Sequence, residues 1–132
     1  MPGRYHFAGD HVLVCVFEGD YTLAETIAVF CAGLDDARAE GGVDVIIDVT
    51  RSTTVKSPDD FRRVVQEIRD HESFAGRIAA VPASDDPLRF GLSRQFAALT
   101  TLDGVPMEVC TSISEALAWL AREAGEASSE AP

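Results

Sequence analysis

Two polar stretches of this 132-residue chain collect the residue types that hold a small anion. The first is Thr50-Arg51-Ser52-Thr53-Thr54, with Ser57 shortly after it. The second is Ser84-Asp85-Asp86, with Arg89 one helical turn further on. Hydroxyls, a guanidinium and the free N–H groups of a helix start are the donors that bind anions in proteins. The candidate ligand-binding residues are therefore Thr50, Arg51, Ser52, Thr53, Thr54, Ser57, Ser84, Asp85 and Arg89. The competing account is purely structural, because Ser and Asp at a helix start also cap backbone N–H groups. Asp48, Asp85 and Asp86 together would suit a hard cation such as Mg²⁺. The two adjacent acids already suit the positive end of a helix dipole, so no metal is expected. His6 and His11 flank one turn without a third ligand. No G-x-S-x-G, P-loop, G-x-G-x-x-G or H-E-x-x-H motif occurs. No catalytic residue and no cofactor are expected.

The elements that would position these stretches follow from local pattern. Arg4 to Phe7 and His11 to Glu18 read as a hairpin about Ala8-Gly9-Asp10. Both alternating sets of the second strand are apolar, so both of its faces should be covered. Thr22-Leu23-Ala24-Glu25 fits a capping box, and Leu23, Ile27, Cys31 and Leu34 recur at helical spacing up to a stop at Gly41-Gly42. Val43 to Val49 predicts a central strand, and Thr50 to Lys56 a polar loop. Ser57-Pro58-Asp59-Asp60 starts a helix with Phe61, Val64, Val65 and Ile68 on its apolar stripe. Arg77 to Val81 is the next strand. Ser84-Asp85-Asp86-Pro87 repeats the helix start, ahead of Leu88, Leu92, Phe96 and Leu99 on one face. Gly91 within that helix suggests close packing. Pro106 to Cys110 is the last strand. Ser112 to Glu115 caps a final helix bearing Ile113, Leu117 and Leu120, with Trp119 alongside.

The order ββαβαβαβα predicts a single α/β domain. Its sheet would be mixed, mostly parallel and about five-stranded. That domain would span residues 4–124, with a disordered acidic tail over 125–132 (GEASSEAP). A chain of this length can bury a core without disulfide or metal. Cys15, Cys31 and Cys110 each sit in an apolar stretch and read as buried free thiols.

Charge narrows the partners. Twenty-two acids face eleven bases, a formal net charge of −11, and Lys56 is the one lysine. Such a surface repels phosphate backbones and anionic headgroups, which speaks against nucleic acid and membrane partners. No apolar run approaches the roughly 20 residues that span a bilayer. Met1 to Asp10 holds no apolar leader core. A cytoplasmic location is expected, and a basic protein partner would suit the charge.

Three stretches resemble a known family: Val45-Ile46-Ile47-Asp48-Val49-Thr50, Phe90-Gly91-Leu92-Ser93-Arg94-Gln95-Phe96, and Val109 through Trp119-Leu120. Together they resemble the STAS-like, SpoIIAA-like domains, in particular the bacterial STAS/CRAL-TRIO-like branch. The resemblance spans about Arg4 to Arg122. It implies a STAS/SpoIIAA-like fold and a non-enzymatic regulatory module that binds a protein or a small ligand. The family's phospho-switch does not carry over. Asp48-Val49-Thr50 matches the first part of its motif, but Lys56-Ser57-Pro58-Asp59 puts Pro58 where the phosphate acceptor would stand. The CRAL-TRIO side implies, as an alternative, a carrier of a lipid-like apolar ligand, with Phe61, Phe90, Phe96 and Trp119 lining a cavity. An enzyme using the strand-end loops is the third reading. An exposed edge strand or apolar helix face would allow a homodimer.

Overall fold

The computed structural model describes residues 3–54, 56–83 and 85–130. Five strands form one sheet, and helices cover both of its faces. The elements are β1 (Gly3–Phe7), β2 (Val12–Gly19), α1 (Leu23–Asp35), a 3₁₀ turn (Ala37–Ala39), β3 (Val43–Ser52), α2 (Pro58–Arg69), β4 (Phe74–Pro82), α3 (Pro87–Leu102), β5 (Met107–Val109) and α4 (Ile113–Glu130). β1 and β2 pair antiparallel around Gly9, whose φ of +70° suits only a residue without Cβ strain. β2, β3, β4 and β5 run parallel, and the order across the sheet is β1-β2-β3-β4-β5.

That order explains the two layers. Each crossover from β2 to β5 steps the same way across the sheet. Crossovers of one hand then put α1, α2 and α3 on one face. Leu13, Cys15 and Phe17 of β2, Val45 and Ile47 of β3, and Ile78 and Ala80 of β4 point into that layer. Val14, Val16, Ile46, Ala79 and Val81 point the other way, where Ala116 and Leu120 of α4 meet them. The doubly apolar β2 is thus buried on both faces. Phe17, Phe30, Leu13, Leu34, Ile46 and Ile68 are among the largest fully buried side chains. Each contributes about 1.5–3 kcal/mol by leaving water.

Local chemistry sets the helix starts. Thr22 Oγ1 accepts from Glu25 N–H at 3.1 Å, and Glu25 Oε1 accepts from Thr22 N–H at 2.9 Å, closing the capping box. Ser57 caps α2 ahead of Pro58, Asp86 caps α3 ahead of Pro87, and Ser112 accepts from Glu115 N–H at the start of α4.

Several expectations are corrected. α1 stops at Asp35 and does not reach Gly41. Asp36 takes an extended conformation, and its carboxylate accepts from Arg38 N–H, which draws the backbone into the 3₁₀ turn. Thr50, Arg51 and Ser52 belong to β3, extended by pairing with Glu18 and Gly19. β4 begins at Phe74. α3 does not bury Leu88 and Leu99, which are 74% and 50% exposed; it packs through the small residues Ala97 and Thr100. Gly91 is exposed, and a methyl there would meet nothing within 4 Å, so it is not a close-packing glycine. Cys31 is half-buried on α1, whereas Cys15 and Cys110 are buried. α4 runs from Ile113 to Glu130. Of the stretch expected to be a disordered tail, Ala131 and Pro132 lie outside the described residues. No helix among the described residues is long and apolar enough to cross a membrane.

Candidate functional site

A pocket of about 100 Å³ opens at the carboxyl end of the parallel strands, between the sheet and the layer of α1, α2 and α3. One water needs roughly 10–15 Å³ on this measure, so the space exceeds a few waters. Its body is apolar. Phe17 and Phe30 form one wall, with ring centroids 5.5 Å apart. Phe61 of α2 and Phe96 of α3 stack at 4.7 Å with an interplanar angle of 14° and form another. Ile47 and Ala80 floor it from the sheet.

Polar groups gather at one side. Tyr21 follows β2 and is buried, its ring 4.9 Å from that of Phe17. Ser52 Oγ donates to Tyr21 Oη at 2.8 Å and accepts from Thr54 N–H at 3.2 Å. Thr54 Oγ1 in turn accepts from Tyr21 N–H at 3.0 Å, tying the end of β2 to the end of β3. Burial raises the Tyr21 phenol pKa, opposed by the Ser52 hydrogen bond. Lys56 reaches in from the segment before α2. Its Nζ donates to Thr26 Oγ1 at 3.0 Å and lies 4.3 Å from the Tyr21 ring centroid. Burial lowers the Lys56 pKa, partly offset by Asp60. Arg89 of α3 donates to the Ser52 carbonyl and lies 3.5 Å from the Asp86 carboxylate.

The candidates from sequence divide sharply. Ser52, Thr54 and Arg89 line the pocket. Thr50 is exposed and bonds to Asp48, Arg51 is exposed, and Thr53 donates to Asp20 at 2.6 Å on the surface. Ser57 is spent as the α2 cap. Asp85 is exposed, and Ser84 lies outside the described residues. A register shift causes the split within β3: two steps from Val16 to Glu18 face three from Asp48 to Arg51, which interrupts the alternation and turns Ser52 to the same pocket as Val49. The four aromatics expected around a cavity do not come together. Phe61 and Phe96 line the pocket, Phe90 does not, and Trp119 belongs to α4 and packs against the opposite face of the sheet.

Tyr21, Thr26 and Lys56 escaped the sequence reading. Thr26 and Tyr21 sit in a capping region and have no motif. Lys56 did carry a signal: one lysine among 22 acids, ending a polar stretch just ahead of a helix cap. His6 and His11 do not face each other, since His6 pairs with Val14 across the hairpin. Among the described residues no three His, Cys, Asp or Glu side chains gather closely enough to hold a metal ion. Asp48 accepts from Thr50, and Asp86 is the α3 cap.

The fold and pocket define an α/β domain with helices unequally shared between its faces and a lined cleft at its strand ends. No protein-family model, no curated protein and no solved structure matches the chain.

Proposed function

We propose that this domain is a non-catalytic module that binds a small amphipathic molecule. The apolar body of the ligand lies between the two phenylalanine pairs, and its polar head lies against Tyr21, Ser52, Lys56 and Arg89. The pocket carries this reading: an apolar space at the carboxyl ends of parallel strands, with a few convergent polar groups, is the form that ligand sites take. The SpoIIAA-like resemblance supplies the role, regulation through a bound small molecule. The pocket equally favours a carrier of a compact apolar ligand, and it is too small for a long lipid chain. Native mass spectrometry of the protein purified from the cells that make it tests the reading. A non-covalent mass of a few hundred daltons or less is expected. A bare chain that no amphiphile stabilises against heat overturns it.

A second reading has one observation behind it. Leu88, Leu99 and Leu102 are all exposed on α3, at spacings that place them on one side of the helix. They would serve self-association. Sedimentation should then give a dimer at micromolar concentration and a monomer for Leu102→Glu; a monomeric wild-type chain retires this reading.

A further inference from the structure

We propose that the head group recognised by this pocket is a carboxylate, held by the Lys56 ammonium with the Arg89 guanidinium beside it, on a compact aryl or medium-chain alkyl body. This inference rests on the small-ligand reading and names the chemistry of the ligand.

Among the described residues no carboxylate touches the Lys56 ammonium, and Asp60 acts on it only from beyond ion-pair distance. The chain has 22 acids and one lysine. Most of its arginines and one histidine illustrate how readily such a surface pairs a cation: Arg4 with Glu18, Arg38 with Asp36, Arg63 with Glu67, His71 with Asp35. Among the described residues Lys56 takes part in no ion pair. Its ammonium meets one hydroxyl, Thr26 Oγ1 at 3.0 Å, and one aromatic face, Tyr21 at 4.3 Å. Among the described residues its ammonium has one hydrogen-bond acceptor for three N–H groups, and it stands on the wall of an apolar space. A half-buried charge with no anion in contact is unfavourable, and the more distant Asp60 offsets its desolvation only in part; an anion placed against it restores the balance. The lowered pKa of Lys56 is the same cost seen from its titration.

Arg89 supplies the second donor. One arm goes to the Ser52 carbonyl, and its contact with Asp86 is long at 3.5 Å. A guanidinium carries five N–H donors, so several are free for a ligand oxygen. Tyr21 stands between the two cations, its ring under Lys56 and its hydroxyl on Ser52, whose carbonyl Arg89 holds. Two cations and a hydroxyl on one rim match the lone pairs of a carboxylate.

Size limits the body. The space of about 100 Å³ is smaller than the roughly 150 Å³ dry cavity that takes benzene in an engineered protein, but the pocket is open at its mouth, so an aryl or medium-chain body is enclosed only in part. The stacked Phe61 and Phe96 rings offer a flat wall for an aryl group or a short chain. Longer chains would have to leave through the mouth, past the cations.

Isothermal titration of the full chain with octanoate, 3-phenylpropionate, 1-octanol and octylamine tests the proposal. At least one of the two carboxylates should bind about tenfold or more tighter than 1-octanol, the gain of a charge-assisted hydrogen bond. Octylamine should not bind. Lys56→Met should bring the carboxylates down to the level of 1-octanol and leave 1-octanol unchanged. Lys56→Arg should retain most of the preference, which guards against a folding defect in the first variant. Equal binding of 1-octanol and octanoate, untouched by Lys56→Met, overturns the carboxylate while the pocket reading stands. Failure of all four probes to bind overturns both.

Discussion

Gly33 of α1 and Gly91 of α3 lie inside helices with unstrained φ, and the structure predicts opposite outcomes when each becomes alanine. Replacing glycine by alanine in a helix interior stabilises by up to about 1 kcal/mol through backbone entropy. At Gly91 that gain is unopposed, because the new methyl meets nothing within 4 Å. At Gly33 the methyl would stand 2.8 Å from both Leu13 Cδ1 and Leu13 Cδ2, and 3.3 Å from Leu13 Cγ. Leu13 is fully buried on β2, so it has no free space into which to swing. Overpacking of this kind costs about 1–3 kcal/mol. The helix gain is common to both variants, so their difference isolates the clash. Gly91→Ala should be about 1 kcal/mol more stable than wild type, and Gly33→Ala up to about 2 kcal/mol less stable. Urea unfolding followed by Trp119 fluorescence and far-ultraviolet circular dichroism measures both, with equal slopes expected. Should Gly33→Ala match Gly91→Ala in stability, α1 does not lie on β2 with Gly33 over Leu13, and the placement of that helix is wrong.

Three further expectations follow from the packing and the titrating groups. Ser52→Ala removes the buried hydroxyl that joins Tyr21 to Thr54, and unfolding in urea should show a loss of about 1–3 kcal/mol; unchanged stability would mean the bridge is not made. Burial pushes the Cys15 thiol far up and the Cys110 thiol up to about 11, with Glu115 and Glu108 adding to the latter, while Cys31 is more accessible. A disulfide reagent at pH 8 should therefore titrate no more than one thiol in the folded chain, none in Cys31→Ser, and all three after unfolding; rapid reaction of two would contradict the core. Hydrogen bonds from Arg38 and Tyr5 hold the Asp36 carboxyl well below the usual carboxylate range. Because the folded value is the lower one, its contribution is complete above the unfolded value of about 3.9 and fades as the pH falls below it. The stability advantage of wild type over Asp36→Asn should be flat from pH 6 to 8 and shrink in acid, a comparison that a pH series of thermal melts can make.

The parts of this fold that are legible in the sequence are those decided within a few residues. Thr22 with Glu25, and Ser57 ahead of Pro58, announce helix starts because a cap bonds to its own neighbours. The unbroken apolar run of β2 announces a strand covered on both sides. Where tertiary contact outvotes local pattern, the reading strays. Thr50 to Ser52 look like loop, yet partners on β2 hold them extended. Leu88 and Leu99 look like a core stripe, yet the residues of α3 that are buried are Ala97 and Thr100. The candidate site shows the same division. Ser52, Thr54 and Arg89 stand where ligand-facing residues of an α/β sheet are expected, at the strand ends. Tyr21 and Lys56 join them only because β2 and β3 lie side by side, bringing Tyr21 against Thr54 across 33 residues of chain.

The unequal sharing of helices between the two faces bears on how the chain leaves the ribosome. α1, α2 and α3 can each dock as soon as the strand after them is made, since every strand neighbours its predecessor. The other face has no such running protection. Val14, Val16, Ile46, Ala79 and Val81 are in place once β4 has emerged, and their cover, α4, is made after β5. For the time needed to translate and release the segment from Ala83 onward, a nascent chain carries an open apolar sheet face. That interval is when it is most exposed to aggregation and most in need of a holding chaperone.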